Sequence, residues 1–156
     1  MGNQLPREST PSLEIREFVY GDECYMPDQG TKEYAKRRQS AQETLNRGGY
    51  VRTVLLGGRP VAFMGCIPDG ADGANIWYSA STESVHASHP VRFLRASRAV
   101  VVDWLEHYRF LYGELVDPSP ALLRWVRFMG GTHLYMPSGV TSFFISQCAN
   151  PSPRPS

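Results

Sequence analysis

The stretch LVDPSPALLRWVRFMGG, residues 115–131, sets the architecture that the rest of the chain must satisfy. It reads as the end of a strand, two prolines that cannot extend it, a helix, and a double glycine. Leu122, Trp125, Val126 and Met129 fall at i, i+3, i+4 and i+7, which puts one apolar stripe on the helix. Gly130 supplies the C-terminal stop, because glycine takes the left-handed conformation there without strain.

The elements on either side follow the same logic. Upstream, residues 90–108 predict the longest helix, with Pro90 in a first turn whose N–H would be unpaired anyway and Ser88 or His89 as its cap. Val91, Leu94, Val101, Leu105 and Tyr108 repeat at helical spacing. The run AVVVDW makes the middle apolar nearly all round, so burial on several sides is expected. FLYGELV, residues 110–116, is the strand between the two helices. Downstream, THLYM and VTSFFISQ read as a strand pair turning at Pro137-Ser138-Gly139.

The N-terminal half is simpler. LEIREF (13–18) alternates like a short edge strand, and residues 31–49 predict a helix capped by Thr31 and stopped at Gly48. Its apolar face is thin (Tyr34, Ala41, Leu45), as for a helix on the surface. Two β-branched runs over 51–67 meet at Gly57-Gly58, a hairpin signal, and NIWYSA (75–80) is a further strand. The order β-α-β-β-β-α-β-α-β-β predicts one α/β (α+β) domain over 13–148. Its sheet is mixed and mostly antiparallel, with a buried β-α-β crossover. Residues 1–12 and 149–156 are polar and proline-rich tails, expected to be held by protein partners or a second copy.

Composition removes several functions. The 156 residues carry a formal charge of +1, and their cations are spread along the chain, so no polynucleotide-binding face is expected. No apolar run approaches the roughly 20 residues of a membrane span, and no signal peptide opens the chain. Cys24, Cys66 and Cys148 form no paired motif and suit free thiols. His86-x-x-His89 lacks a third ligand at recognisable spacing, so no metal is expected. The aromatic residues Trp77, Tyr78, Trp104 and Trp125 read as core. Arg92, Arg95 and Arg98 share one arc of the long helix, as a phosphate clamp or as a solvated face.

The element order over 13–147, with IWYSAS (76–81), FLYGELVD (110–117) and LLRWVRFMGG (122–131), resembles the GNAT acetyltransferase superfamily. Within it, the chain is similar to a phage branch that includes internal virion proteins of short-tailed coliphages. The resemblance implies an acyl-CoA cleft where the fourth and fifth strands part, with phosphates at the start of the long helix. It places Ser79, Ser81, Ala87, Ser88, His89, Arg92 and Arg95 at that cofactor site. Against the family pattern, TESVHASHP (82–90) has no glycine where Arg/Gln-x-x-Gly-x-Gly is usual. Val126 stands where a proton-donating tyrosine is frequent, and Ser119 where an asparagine is. Glu83 is the carboxylate nearest the fourth strand, and Glu83 and Ser119 are the candidate catalytic residues. These departures predict a non-catalytic, cofactor-free phage protein acting through protein contacts in a virion or the host cytoplasm. The alternative is an acetyl-CoA-dependent N-acetyltransferase acting on an amine of a small molecule or protein.

Overall fold

A computed structural model describes residues 11–81 and 85–147. Most of both tails, Glu83 and Cys148 therefore lie outside the described residues. Seven strands form one sheet in the order β1-β2-β3-β4-β5-β7-β6. They are β1 (Leu13–Glu17), β2 (Tyr50–Leu56), β3 (Arg59–Asp69), β4 (Gly73–Ala80), β5 (Phe110–Val116), β6 (Thr132–Tyr135) and β7 (Val140–Ser146). The helices are α1 (Lys32–Asn46), α2 (Val85–Ser88), α3 (Pro90–His107) and α4 (Pro120–Phe128). A 3₁₀ turn spans Asp22–Tyr25. Every strand pair is antiparallel except β4 with β5, the crossover carried by α3.

The turns follow from residue chemistry. Gly57 and Gly58 both take positive φ, 59° and 79°, which fits the β2–β3 hairpin to the twist of its strands. Thr31 caps α1 by accepting a hydrogen bond from the Tyr34 N–H at 3.1 Å. Ser119 does the same for α4, accepting from the Leu122 N–H at 3.3 Å.

Strand β3 is buried from Pro60 to Cys66 because helices cover both of its faces. Ala62, Met64 and Cys66 join Ile76, Val101, Trp104, Leu111, Val126 and Ile145 in the main core under α3 and α4. Phe63, one step out of phase, points to the other face and packs with Met26, Ala41 and Val51 beneath α1.

Three local expectations change. Helix α3 is buried on one side only: Phe93, Ser97, Val100, Val101, Trp104 and Leu105 face the core, while Val91 is 58% exposed. The middle of α3 reads as apolar all round because Ala99 is apolar yet exposed, at a position that no second layer covers. The buried residues of α1 include Arg37 and Thr44, whereas Leu45 is 37% exposed. Part of the presumed loop before α3 is a helical turn, α2, and neither Ser88 nor His89 caps α3 through its side chain.

Candidate functional site

Strands β4 and β5 pair only through Gly73–Asn75 and Phe110–Tyr112. Beyond that point they part. Gly113 lies at the crotch, where a Cβ would stand 2.8 Å from the Ile76 carbonyl oxygen and 2.6 Å from Phe143 Cζ. Only a glycine lets the two strands run this close before they diverge. The opening is a cleft of about 170 Å³, walled by Ile76 and Tyr78 of β4, Glu114 of β5, Phe93 of α3, and Leu122 and Trp125 of α4.

The stripe on α4 is thus the floor of the cleft as well as core. Trp125 is 8% exposed, donates from its indole N–H to Ser97 Oγ at 2.8 Å, and meets Phe143 edge-on at 6.2 Å. Trp104 is fully buried, as expected from the sequence, whereas Tyr78 and Trp77 are half-buried and line the opening. The Trp77 indole lies across Gly65 and donates to Thr44 Oγ1 at 2.9 Å, tying β4 to α1.

Two polar groups border this cleft, Tyr78 half-buried and Glu114 exposed. The Tyr78 hydroxyl is 3.3 Å from His86 Nδ1 on α2, and the two rings meet edge-on at 5.5 Å. Burial pushes the Tyr78 phenol above its ordinary range and His86 below its own, so at neutral pH the phenol keeps its proton and the imidazole stays neutral. The second group is Glu114. Cross-strand register places Tyr112 against Phe144, Glu114 against Ser142, and Leu134 against Ser142. These side chains therefore share the sheet face opposite to Leu111 and Phe143. They line a second hollow of about 320 Å³, and Glu114 borders both it and the cleft.

The residues proposed from sequence fall into place unevenly. Ser79 accepts from Arg37 Nε at 3.2 Å, on the α1 side of β4 and away from α3. Ser81 is buried at the end of β4, its N–H bonded to the Val61 carbonyl at 2.8 Å and its Oγ without a partner. Ala87 and Ser88 are exposed on α2, and the His89 N–H is taken by the Val85 carbonyl at 2.8 Å. Arg92 donates to the Pro11 carbonyl at 2.6 Å, and Arg95 is exposed without a bonded partner among the described residues. Ser119 serves as a helix cap, and Glu83 lies outside the described residues. Glu114 was invisible to strand-by-strand reading because FLYGELV makes it an ordinary outward-facing residue. Its only sequence signal is a lone carboxylate just after Gly113, where the strand leaves its neighbour. Among the described residues no three His, Cys, Asp or Glu side chains gather as a metal site, and no helix is long and apolar enough to cross a membrane.

No protein-family model matches the chain, and no curated protein sequence matches it. Solved structures do. An acetyltransferase from Streptococcus agalactiae is 10% identical with a TM-score of 0.62, covering 86% of this chain and 98% of its own. A GNAT-family acetyltransferase from Staphylococcus aureus is 9% identical with a TM-score of 0.60, covering 86% and 99%. The aminoglycoside acetyltransferase AAC(6')-Ib, solved with coenzyme A, is 10% identical with a TM-score of 0.58, covering 88% and 96%. With a mixed seven-stranded sheet, a β-α-β crossover and parted central strands, this chain has the fold of the GNAT acetyltransferases.

Proposed function

We propose that this protein is an acyl-CoA-dependent N-acyltransferase, with acetyl-CoA as donor and an amine as acceptor. One observation carries the reading: Glu114 stands where the cleft between β4 and β5 meets the hollow on the other sheet face. A residue that borders two hollows is placed to contact molecules that arrive from opposite sides.

The residues present suit the donor. The apolar cleft is open beyond Gly113, the partnerless Ser81 Oγ lies at the end of β4, and α3 begins without a side-chain cap. Ile76, Leu122 and Trp125 would hold the pantetheine arm. The first N–H groups of α3, with Arg92 and Arg95 beside them, would hold the phosphates. Bound there, acetyl-CoA would supply an activated thioester. Glu114 takes a proton from the acceptor nitrogen, and Tyr78 holds the proton that its phenol offers in the cleft, with His86 fixing its orientation. A carboxylate and a phenol thus stand on β5 and β4, in place of the groups missing near the fourth strand and at Val126. The reading of a non-catalytic virion protein rests on those missing motifs and on the resemblance to the phage branch.

The test is release of free thiol from acetyl-CoA against a panel of primary amines. Glu114→Gln and Tyr78→Phe should each lower kcat by about 10²–10⁴-fold with little change in the KM for acetyl-CoA. Absence of acetyl-CoA binding to the wild-type chain would overturn the proposal.

A further inference from the structure

A further cavity, of about 110 Å³, lies on the opposite face of the sheet from the cleft, between α1 and the segment that follows β1. Phe63 forms its base, Phe18 and Tyr20 one wall, and Leu45 part of its rim. Phe18 meets Phe63 edge-on at 5.3 Å and Tyr20 at a 60° tilt and 6.1 Å, and all three rings line the cavity. Two charged side chains also line it, Glu23 from the 3₁₀ turn and Arg38 from α1, and they form no ion pair with each other.

Glu23 Oε2 is buried and has no hydrogen-bond partner. A buried carboxylate oxygen without a donor is costly, and its natural complement is an N–H of a ligand. Aromatic faces favour an ammonium in the same place. Arg38 argues against a bare cation and for one that carries a carboxylate of its own. The rim adds apolar surface that the fold itself leaves uncovered: Tyr20 is 78% exposed and Leu45 37%. The size excludes a nucleotide.

We propose that this cavity binds a free apolar α-amino acid, its ammonium on Glu23 Oε2, its carboxylate toward Arg38, and its side chain among Phe18, Tyr20 and Phe63. The site is independent of the acyl-transfer reading, since none of its residues lines the cleft.

Isothermal titration of the full chain with L-leucine and L-phenylalanine tests it, with isoamylamine and 4-methylpentanoate as the leucine analogues lacking one charge each. At least one amino acid should bind, and each single-charge analogue of leucine at least tenfold more weakly than leucine itself. Glu23→Gln should abolish binding and Arg38→Gln should weaken it at least tenfold, while both variants keep the wild-type melting temperature. The proposal is overturned if neither amino acid binds at millimolar concentration, if isoamylamine binds as well as leucine, or if Glu23→Gln binds undiminished.

Discussion

Arg37 and Asp28 form a two-pronged ion pair, 2.9 and 3.0 Å, inside the protein, with the arginine side chain 1% and the aspartate 3% exposed. The same guanidinium donates to Ser79 Oγ and to the Ala80 carbonyl, the latter at 2.5 Å. One side chain of α1 thereby fixes the loop before it and the end of β4, the strand that walls the cleft. Removing either partner leaves a buried charge uncompensated. Arg37→Met and Asp28→Ala are each expected to cost about 3–5 kcal/mol in urea unfolding. The double variant should cost less than the sum of the two, as for any directly coupled pair.

Gly113 joins fold to cleft. An added Cβ meets a backbone oxygen, that of Ile76, which cannot swing aside as a side chain would. Gly113→Ala should destabilise by about 1–3 kcal/mol, the usual range for overpacking. It should also weaken acetyl-CoA binding more than Ala99→Gly on the outer face of α3 does. Equal binding by the two variants would show that the crotch does not shape the donor site.

The element order, the Gly57-Gly58 hairpin, the Thr31 cap and the α4 stripe were all legible, because each depends on neighbours close in sequence. Arg37 was not. On a helix with few apolar residues it reads as one more solvated cation, and only Asp28, Ser79 and the Ala80 carbonyl arriving from elsewhere bury it. Glu114 was missed for a related reason. Alternation says which face of β5 it takes, but not that β4 ends its pairing at Asn75 and leaves that face open beside it. The resemblance implies a proton donor at the position of Val126 on α4, whereas Tyr78 reaches the cleft from β4.

Under the proposed function, Arg92 and Arg95 would hold the donor's phosphates at the start of α3. Arginines near a helix N-terminus oppose the dipole, so they contribute little to the stability of α3 itself. Arg92→Ala/Arg95→Ala should therefore leave the unliganded melting temperature within a few degrees of wild type. Acetyl-CoA at about 100 times its dissociation constant should stabilise the wild type by roughly 2.7 kcal/mol, a rise of about 5–10 °C. The double variant should lose most of that rise, and 0.5 M salt should reduce the wild-type rise as well, since screening weakens such exposed charge pairs. A full rise retained in the double variant would place the phosphates elsewhere.

His86 should make the stability of the folded chain sensitive to acid. Burial beside Tyr78 and Phe93 lowers its affinity for a proton in the folded chain, whereas in the unfolded chain it titrates near its ordinary value of about 6.5. The unfolded form therefore binds the extra proton first as pH falls. The stability tied to neutral His86 is full above about pH 6.5 and is lost as pH drops toward the lower folded value. His86→Gln removes the titration and should flatten that part of the stability curve. It should also perturb Tyr78, because the phenol loses its partner at 3.3 Å. Unfolding midpoints of both chains from pH 7.5 to 5 give the measurement: the two curves should converge as the medium becomes acidic. Parallel curves would mean that another group carries the pH dependence and that His86 is already hydrated in the folded protein.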